Sequence, residues 1–506
     1  VSNRLNRLQR EDGSWTANEE EVVTELSEYF KDLFTSGGKD EMTEILEGIP
    51  HYITQEMNDK LTKEVMEEEI HDALFSMNPE KAPGQDGMTP LFFQKFWNTI
   101  KSDIILAIKA FFHSGHMLKS VNHTVISLIP KILHPTNLKN FRPISLCSVL
   151  YKIISKILAN RLKSVPDLCI SKTQSAFIPE RQILDNVIIA HEYMHFLKNK
   201  RQGKEGYMAI KLDMAKAYDR VEWQCLLEMM EKMGFCSKWI NWIHSCLKTV
   251  SYSFNCNGEV KGFVTPERGI RQGDPLSPYL FLICSEGFSN LLRRAEESKR
   301  IQGLKISRLG PVLTHLFFAD DSIIFCKANK NEAVEIMKVL KTYENASGQL
   351  VNLDKSAVFF SKNVDDEQKK EICLAFGGMA EAKQGKYLGL PMVVSRSKEQ
   401  IFGFVRDNIR KRCQNWKNKL LSPAGKEVLL KAVVMAMPTY VMSCFKLSRR
   451  LCKDICALMA NFWWGEANGK NKMHWLSWEK MAMAKSAEGL GFKDIEAFNQ
   501  ALLGKQ

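Results

Sequence analysis

The 506-residue sequence predicts an α+β fold in which helices pack against an antiparallel sheet. Three observations carry this prediction. Residues 206–328 alternate short apolar runs with amphipathic segments in the order strand–helix, helix, hairpin. A composition of 45% hydrophobic and 25% charged residues is typical of globular proteins. The sequence also lacks a Rossmann fingerprint, a Walker loop and an internal repeat.

The first elements follow from local patterns. Apolar residues in 20–35 recur with a helical period, so a helix is expected there. KAPGQDG, Lys81–Gly87, contains one Pro and two Gly and predicts a loop. HTVISLIPK, 123–131, predicts a strand that Pro130 ends or holds at the sheet edge. YKIISKILANRLKSV, 151–165, predicts a basic amphipathic helix.

A second group of elements starts with GYMAIKLD, 206–213, which predicts a strand. The next segment, 220–234, predicts a helix that Gly234 ends. Asp219, followed three residues later by Glu222, has the form of a helix cap with its capping-box partner.

The Gly-punctuated segment RGIRQGDP, 268–275, predicts a loop that leads into a helix over 276–298. Asp274 and Pro275 suit the cap and the first turn of that helix. LTHLFFADDSIIFCKA, 313–328, then predicts two short strands joined by a turn.

The turn of this hairpin carries two adjacent acids, Asp320 and Asp321, inside an apolar run. Burying ionised carboxylates costs several kcal/mol each unless a partner compensates, so either the turn is exposed or a cation meets it. Asp213 also ends an apolar strand, and the three acids would meet if the two strands were neighbours. Carboxylate oxygens from two strands are ligands that Mg²⁺ prefers, although an ordinary turn remains the alternative from spacing alone.

Composition excludes some protein classes. No stretch approaches the roughly eighteen apolar residues of a membrane span, and the polar start shows no secretory signal. The chain begins with Val1, which indicates a piece of a longer chain. Thirteen cysteines without CxxC pairs favour a reduced intracellular protein with no zinc module.

Charge is unevenly distributed along the chain, whose net charge is +12. Residues 1–80 hold 20 acidic and 7 basic side chains. By contrast, 101–170 has 10 basic and 2 acidic residues, and 401–450 has 11 basic and 2 acidic. A basic body favours a polyanionic partner, with a solvated lysine-rich surface as the alternative.

Five segments, in order, resemble polymerase motifs A to E of reverse transcriptases: KLDMAKAYDRVEW, RGIRQGDPLSPYLF, FFADDSIIF, SGQLVNLDKS and KYLGLP. KAPGQDG, FRPISLCSVLYKIISKILANRL and ISKTQSAFIPERQILDN resemble finger motifs of non-LTR (LINE-type) retrotransposon enzymes. WKNKLLSPAGKEVLLKAVVMAMPTYVMSCFKL and the segments NFWWG, HWLSWEK, GLGF and FNQALLGKQ resemble the thumb and post-thumb of plant LINE-type polyproteins. The similarity covers the chain from about Lys81 and, more weakly, its acidic start.

The resemblance implies a catalytic centre. Asp213, Asp320 and Asp321 match metal-binding catalytic aspartates that hold two Mg²⁺ ions, with Mn²⁺ as a substitute. Lys355 matches the motif D lysine that protonates the leaving pyrophosphate, although by itself it would be a surface lysine.

Five further matches concern nucleotide binding. Lys131 and Arg142 match finger residues that grip the triphosphate, Arg through its bidentate fork and Lys as a point charge. Tyr218 matches the aromatic gate that excludes a ribose 2′-hydroxyl; without motif A it would be a core tyrosine. Gln272 and Gly273 match the motif B turn that lies against the incoming nucleotide, where glycine lets the backbone approach closely.

Other matches lie in the C-terminal part. Tyr387, Leu388 and Gly389 match the primer grip. The basic and aromatic side chains expected to follow the template–primer backbone are Arg406, Arg410, Arg412, Trp416, Lys417 and Lys419. Four residues depart from the family pattern: Glu180 and Glu488 replace a usual Gly, Met435 a usual Gln, and Met88 a common aromatic.

The implied architecture is a right-hand polymerase with an antiparallel-sheet palm. The expected divisions are an acidic helical N-terminal extension (1–69), fingers (70–205), the palm (206–395), a helical thumb (396–450) and a truncated post-thumb segment (451–506). The endonuclease and the zinc-knuckle or RNase H regions of such polyproteins are missing from this sequence.

The implied function is RNA-directed DNA synthesis on an RNA template, with a DNA primer, dNTPs and no membrane partner. A nuclear protein with a cytoplasmic ribonucleoprotein stage is expected. The main alternative is an inactive retroelement remnant that only binds nucleic acid. A group II intron maturase and an RNA-dependent RNA polymerase are less favoured, because of the LINE-like flanking segments and Tyr218 respectively.

Overall fold

The computed structural model describes residues 4–38, 42–393, 398–415, 420–467 and 470–505. The chain divides into two compact units. The first unit comprises Val1–Arg181 and Arg201–Glu381, and the second comprises Gln182–Lys200 and Ala382–Gln506.

The first unit combines two sheets with surrounding helices. Its helices are Glu19–Phe34, Thr43–Leu46, Gln55–Leu61, Glu67–Phe75, Pro90–Lys95, Trp97–Ser114, Lys119–Asn122, Val149–Leu162, Pro166–Cys169, Trp223–Met233, Ser237–Lys248, Ser277–Glu297, Lys330–Ser347 and Asp366–Ala375. Short 3₁₀ turns cover Leu138–Asn140 and Tyr218–Arg220. Its strands are β1 (His123–Pro130), β2 (Phe141–Cys147), β3 (Tyr207–Leu212), β4 (Ser251–Cys256), β5 (Glu259–Val264), β6 (His315–Phe318), β7 (Asp321–Lys327), β8 (Ala357–Phe360) and β9 (Ala380–Glu381).

The strands form two mixed sheets. A four-stranded sheet has the order β2-β1-β4-β5, in which β1 and β4 run parallel and the other pairs antiparallel. A five-stranded sheet has the order β6-β7-β3-β8-β9, in which only the short β8–β9 pairing is parallel. The α+β prediction therefore agrees with the observed mixed architecture.

Local sequence explains several element boundaries. The Asn18 side chain accepts a hydrogen bond from the Glu21 amide and caps the first helix, whose buried apolar residues lie on one face. Gly234 ends the helix Trp223–Met233 with φ +96°, a left-handed conformation that favours glycine. Pro130 is the last residue of β1, as its missing N–H predicts. Lys81–Gly87 has neither helix nor strand.

Two cap predictions were wrong. Glu222 occupies the N-cap position of the helix Trp223–Met233 without a side-chain cap bond, and Asp219 lies inside the turn Tyr218–Arg220. The helix Ser277–Glu297 begins after Leu276, with its first-turn proline at Pro278 rather than Pro275. Asp219 instead accepts from Gln272, and Asp274 accepts from the Tyr151 and Ser155 hydroxyls as well as from the Leu276 amide before the helix.

The main core of the first unit lies beneath the five-stranded sheet, where it packs against the helices Trp223–Met233, Ser277–Glu297 and Lys330–Ser347. A separate apolar cluster joins the N-terminal helix to β1, β2, β4 and β5; its buried aromatics include Phe30, Phe34 and Phe254. The acidic N-terminal segment is therefore built into the four-stranded sheet's core.

The second unit is mainly helical. Its elements are the helices Ile183–Asn199, Lys398–Gln414, Pro423–Leu429, Thr439–Cys444, Arg449–Trp464, Trp478–Ala482 and Ile495–Gly504, the π-helical turn Leu430–Val434, the 3₁₀ turn Lys485–Ala487, and the strands β10 (Lys386–Tyr387), β11 (Leu390–Pro391), β12 (Glu466–Ala467) and β13 (Lys470–Asn471). Buried apolar side chains from these helices, among them Phe402, Ile409 and Ile455, form a core of their own.

Two further observations concern the helices and the cysteines of the described residues. In the described part of the chain, every helix is too short or too polar to cross a bilayer. The thirteen cysteines, all within the described residues, are free thiols, and most are buried.

Candidate active site

The register of β3 and β7 brings the aspartates of motifs A and C to one end of the five-stranded sheet. These strands pair antiparallel, and their last matched residues at this end are Leu212 and Ser322. Asp213 follows Leu212 and Asp321 precedes Ser322, so the two acids continue the same register. The backbone of Asp213 is held by Ser356, whose hydroxyl accepts its N–H at 3.1 Å, and by Asn352, whose N–H donates to its carbonyl at 2.8 Å.

The turn that carries Asp320 is clamped from outside the hairpin. Phe318 pairs with Asp321, which leaves Ala319 and Asp320 as the two turn residues, and Ala319 has φ +52°. The buried Gln174 side chain accepts the Ala319 N–H at 3.0 Å. The same residue forms a bridge with Phe317. A distant segment thus fixes a turn that the hairpin sequence alone would leave strained.

The two acids of the hairpin turn have raised pKa values. Crowding by protein atoms raises the pKa of Asp320, although its side chain reaches solvent, and the negative charge of Asp213 raises it further. Burial likewise raises the pKa of Asp321, and the nearby Asp320 and Asp213 add to the effect. Protonation relieves this repulsion, and so would a cation among them.

The donor set suits a hard divalent cation, since it consists of carboxylate oxygens from two adjacent strands. Among the described residues, no three or more His, Cys, Asp or Glu side chains already form a closed set of ligands. Magnesium sites in nucleotide enzymes often use one or two carboxylates together with substrate phosphates and water, so an open set fits this role.

Cations gather beside the carboxylates. Burial lowers the pKa of Lys131, the positive charges of Lys355 and Arg142 lower it further, and the carboxylates of Asp219 and Asp213 raise it. Arg142 also lowers the pKa of Asp320. Lys131 follows β1, Arg142 lies on β2 and the exposed Lys355 follows the helix Lys330–Ser347. The structure thus brings together residues far apart in sequence.

Tyr218 lies next to the acids. Its ring stacks on that of Phe281, with 5.0 Å between the ring centroids and 6° between their planes. Burial raises the pKa of the Tyr218 hydroxyl, and the Asp320 carboxylate raises it further. A stacked, half-buried ring near Asp320 is therefore rigidly placed at the edge of the site.

The loop before the helix Ser277–Glu297 packs against the turn that carries Tyr218. Its Gly269 and Ile270 amides donate to the carbonyls of Val221 and Tyr218, each at 2.8 Å. The Gln272 carbonyl accepts the Ser145 N–H at 2.9 Å. Gly273 has φ +107°, so a side chain there would be strained.

Comparison with known proteins now decides the family. Residues 129–392, more than half of the chain, match the family model described as reverse transcriptase (RNA-dependent DNA polymerase). The chain belongs to the reverse transcriptase family. Reverse transcriptase domains generally use divalent metal ions, in agreement with the carboxylate donor set.

Several relatives come from mobile elements. This reverse transcriptase is 29% identical over 479 residues to the transposon TX1 uncharacterized 149 kDa protein of Xenopus laevis, covering 92% of this chain and 35% of the relative. It is 28% identical over 298 residues to the retrovirus-related Pol polyprotein from type-2 retrotransposable element R2DM of Drosophila melanogaster, covering 58% of this chain and 26% of the relative. An uncharacterized mitochondrial protein of Arabidopsis thaliana is 55% identical over 69 residues, which are 14% of this chain and 57% of the relative. The chain spans less than two thirds of each relative.

The second unit of this reverse transcriptase contains the segment that resembles a primer grip. Tyr387 is buried and its hydroxyl accepts a hydrogen bond from Asn186, while Tyr440 donates to the Leu388 carbonyl at 2.9 Å. Leu388 and Gly389 both have positive φ, +49° and +80°. The β10–β11 turn is therefore tightly held by its own unit.

The basic residues assigned to the thumb are only partly described. Arg406 pairs with Asp407 and Asp454, and Arg410 pairs with Asp407. Arg412 lies in the same helix, Lys398–Gln414. Trp416, Lys417 and Lys419 lie outside the described residues.

The departures from the family pattern have a structural counterpart. Glu180 and Glu488, which replace usual glycines, adopt φ +68° and +59°. The chain thus retains a left-handed backbone at both positions although each now carries a side chain. Met88 is exposed and Met435 is buried.

Sequence reasoning missed three polar residues of the site. Gln174 holds the hairpin turn, and Asp219 accepts a hydrogen bond from Gln272. Lys216 has φ +58°, and its buried ammonium lacks a hydrogen-bond partner in the part of the chain that the structure describes. Of these three, only Asp219 could have been noticed from the local sequence, because it follows Tyr218. Its spacing to Glu222, however, predicted a helix cap instead of a site residue. The other two depend on contacts that no local pattern encodes.

Proposed function

We propose that this chain is an RNA-directed DNA polymerase of a non-LTR retrotransposon of the plant LINE type. It extends the 3′-hydroxyl of a DNA primer along an RNA template, using dNTPs. The pairing of β3 with β7, which puts Asp213 in register with the Asp320–Asp321 turn beside a group of cations, carries this proposal. The plant assignment is supported by the resemblance of the flanking segments and by the Arabidopsis relative.

Asp213, Asp320 and Asp321 are the residues that would hold two divalent cations, Mg²⁺ or Mn²⁺. When bound, such ions lower the pKa of the primer hydroxyl and stabilise charge on the leaving pyrophosphate. The chain's own contribution is to hold three negative carboxylates in a crowded place, where their mutual repulsion favours uptake of positive charge.

The cations beside the carboxylates serve the nucleotide. Arg142 and Lys131 bind the triphosphate, the first as a bidentate fork and the second as a point charge. Burial and neighbouring positive charge lower the pKa of Lys131, so an anion arriving there relieves repulsion among Lys131, Lys355 and Arg142. Lys355 supplies the proton that neutralises the leaving pyrophosphate.

Tyr218 selects the sugar. Because its ring is stacked on Phe281 it cannot swing away freely, and it would clash with a 2′-hydroxyl. Gln272 and Gly273 line the face against the nucleotide and its template base, where the glycine permits close backbone approach.

The proposal includes a right-hand division of the chain. The proposed fingers (70–205) contain β1 and β2, the proposed palm (206–395) contains the five-stranded sheet, and the proposed thumb (396–450) is helical. In this proposal, residues 1–69 are an acidic helical N-terminal extension, and 451–506 are a post-thumb segment. The TX1 and R2 relatives are much longer than this chain, in line with a parent polyprotein that carries further regions.

Primer extension tests the proposal. The purified chain is incubated with an RNA template, a labelled DNA primer, dNTPs and Mg²⁺, beside Asp320→Asn and, as a matched control, Asp103→Asn on an exposed helix position. We expect extension by the wild type and the control, and loss of roughly 10³-fold or more in the Asp320 variant, because a metal-held charge at the reacting centre is removed.

The competing function is that of a remnant which only binds nucleic acid. Wild-type protein that binds template–primer but extends it no better than Asp320→Asn would establish that function and end the polymerase proposal.

A further inference from the structure

Asp219 is a buried acid without a local structural task. It is 3% exposed, lies in the 3₁₀ turn Tyr218–Arg220 and does not cap the following helix. Its Oδ1 accepts a hydrogen bond from Gln272 Nε2 at 3.2 Å. Its Oδ2 is buried and lacks a hydrogen-bond donor among the described residues. Burying a carboxylate with one oxygen unpaired costs free energy of folding. This cost indicates that Asp219 has a role other than local folding.

The backbone around Gln272 is already fixed without Asp219. The carbonyl of Gln272 accepts the Ser145 amide, and Ile270 donates to Tyr218. The guanidinium of Arg271 donates to Asn122 and Thr124 and lies 3.7 Å from the centre of the Tyr151 ring. In the described structure, Asp219 therefore orients the Gln272 side chain, while other contacts hold the backbone of the loop.

A carboxylate partner fixes which end of an amide side chain it contacts. A glutamine side chain has a donor end and an acceptor end, and a hydroxyl or water could meet either. An ionised carboxylate only accepts, so it binds the NH₂ end of Gln272 and leaves Oε1 on the other side of the carboxamide. The chemistry of the partner thus fixes which end of Gln272 is free.

Three positively charged side chains favour the ionised form of the Asp219 carboxylate. Burial raises the pKa of Asp219 to about 6, while the positive charges of Lys216, Lys131 and Arg220 lower it. Lys216 holds its buried ammonium 5.4 Å from the centre of the Tyr29 ring. Within the described residues, none of these cations forms a direct ion pair with Asp219, so its carboxylate remains available to Gln272.

We propose that Asp219 is a positioning residue for nucleotide selection: it turns the Gln272 carboxamide so that the acceptor oxygen faces the incoming dNTP. This inference rests on the proposed polymerase function. Asp219 acts through Gln272 and touches neither the nucleotide nor the reacting atoms.

Binding of the next correct dNTP tests this role without requiring chemistry. The full chain is assembled with an RNA template and a dideoxy-terminated DNA primer, and the dNTP dissociation constant is measured for wild type, Asp219→Ala, Asp219→Asn, Gln272→Ala and the double alanine variant. We expect a roughly 10-fold weaker dNTP affinity for Asp219→Ala, because one oriented hydrogen-bonding group is lost. Asp219→Asn has a donor end as well as an acceptor end and no longer fixes one orientation of Gln272, so its dNTP affinity should fall between those of wild type and Asp219→Ala.

The double variant separates positioning from folding. If Asp219 acts through Gln272, adding Asp219→Ala to Gln272→Ala weakens dNTP binding no further. Glu332→Ala removes a comparably buried acid, which accepts from the Lys327 and Gln302 amides at the other end of β7, and it should leave the dNTP affinity unchanged even where it lowers thermal stability.

Additive losses in the double variant, or wild-type affinity in Asp219→Ala, overturn the positioning role. A wild-type complex that binds the correct dNTP but cannot extend a normal primer defeats the polymerase function alone. A wild-type complex that binds no dNTP defeats both.

Discussion

Tyr218 and its neighbours show how single residues of the site are specified. Tyr218 stacks on Phe281, the last residue of the motif B segment, so the position of the ring depends on two motifs at once. Asp219, the next residue, is buried under the motif B loop and accepts from Gln272. Adjacent residues on one short turn therefore face two different parts of the proposed nucleotide site.

Shortening Tyr218 should relax sugar selection. In Tyr218→Val the ring that would clash with a 2′-hydroxyl is gone, so the preference for dNTP over rNTP should fall by roughly 10- to 200-fold, the range expected for a steric pocket change. Competitive single-nucleotide incorporation measures this ratio. Tyr218→Phe keeps the ring and should retain discrimination; unchanged discrimination in the valine variant would refute the gate.

The buried Asp219 should make stability depend on pH. Its folded-state pKa of about 6 exceeds the ordinary value of 3.8, so the folded protein binds this proton more tightly than the unfolded chain. The resulting stabilisation is complete below about pH 4 and is lost as pH rises through 6. Asp219→Asn avoids burying a charge, so its unfolding free energy relative to wild type should rise by roughly 1.4 kcal/mol between pH 5 and pH 8.

Denaturant titration at the two pH values measures that difference. Asp103→Asn, at an exposed position, should show no such pH-dependent gain. An Asp219→Asn variant whose stability relative to wild type is the same at pH 5 and pH 8 would contradict the charge-burial account.

At the scale of elements, the hairpin β6–β7 depends on a partner from elsewhere in the chain. Gln174 accepts the Ala319 amide within the turn, and the amides of Phe317 and Ser175 complete the link between the two segments. The turn proposed to bind metal is thus held by three contacts with a loop that lies more than a hundred residues earlier.

Removing this clamp should affect both stability and catalysis. Gln174→Leu leaves the Ala319 N–H without its acceptor, which costs about 1–3 kcal/mol in unfolding free energy, and it frees the turn that carries Asp320. We expect a lower Tm and a lower rate of primer extension. Gln94→Leu removes side-chain bonds to the carbonyls of Leu74 and Met77 instead, and should lower Tm while leaving the extension rate per folded molecule unchanged. Equal extension rates in the two variants would refute the role of the clamp.

Two element boundaries retain backbone strain that a glycine would relieve. Glu180 and Glu488 both have left-handed φ, which costs an ordinary residue about 1 kcal/mol. Glu180→Gly and Glu488→Gly should therefore each raise the unfolding free energy by up to about 1 kcal/mol, measured by denaturant titration. Glu192→Gly, inside a helix, should lower it by a similar amount. Destabilisation by either of the first two substitutions would contradict this interpretation.

The local sequence predicted secondary-structure elements more reliably than it predicted long-range contacts. The first helix, β1, β3 and the β6–β7 hairpin follow from hydrophobic period and turn residues, which are properties of neighbouring positions. The pairing of β3 with β7 joins segments over a hundred residues apart, and its prediction came from motif resemblance. The cap assigned to Asp219 was wrong because Gln272, more than fifty residues later, competes for the same side chain.

At the scale of the whole molecule, the basic segments lie in the parts proposed to contact nucleic acid. The basic segments 101–170 and 401–450 lie in the proposed fingers and thumb, the parts expected to meet nucleic acid, whereas 1–80 is acidic. The N-terminal helix nevertheless shares the apolar core of β1, β2, β4 and β5. Its acidic face can therefore remain in solvent while its apolar face stabilises the sheet that bears Arg142.

The convergence of Asp213 with the β6–β7 turn is the claim on which the polymerase account depends. Paramagnetic resonance of Mn²⁺ tests it directly, in a complex of the full chain with RNA template, dideoxy-terminated primer and the next dNTP. The account predicts that Asp213→Asn and Asp320→Asn each bind less Mn²⁺ than wild type, while Asp103→Asn binds as much. Wild-type Mn²⁺ binding in both aspartate variants would contradict it.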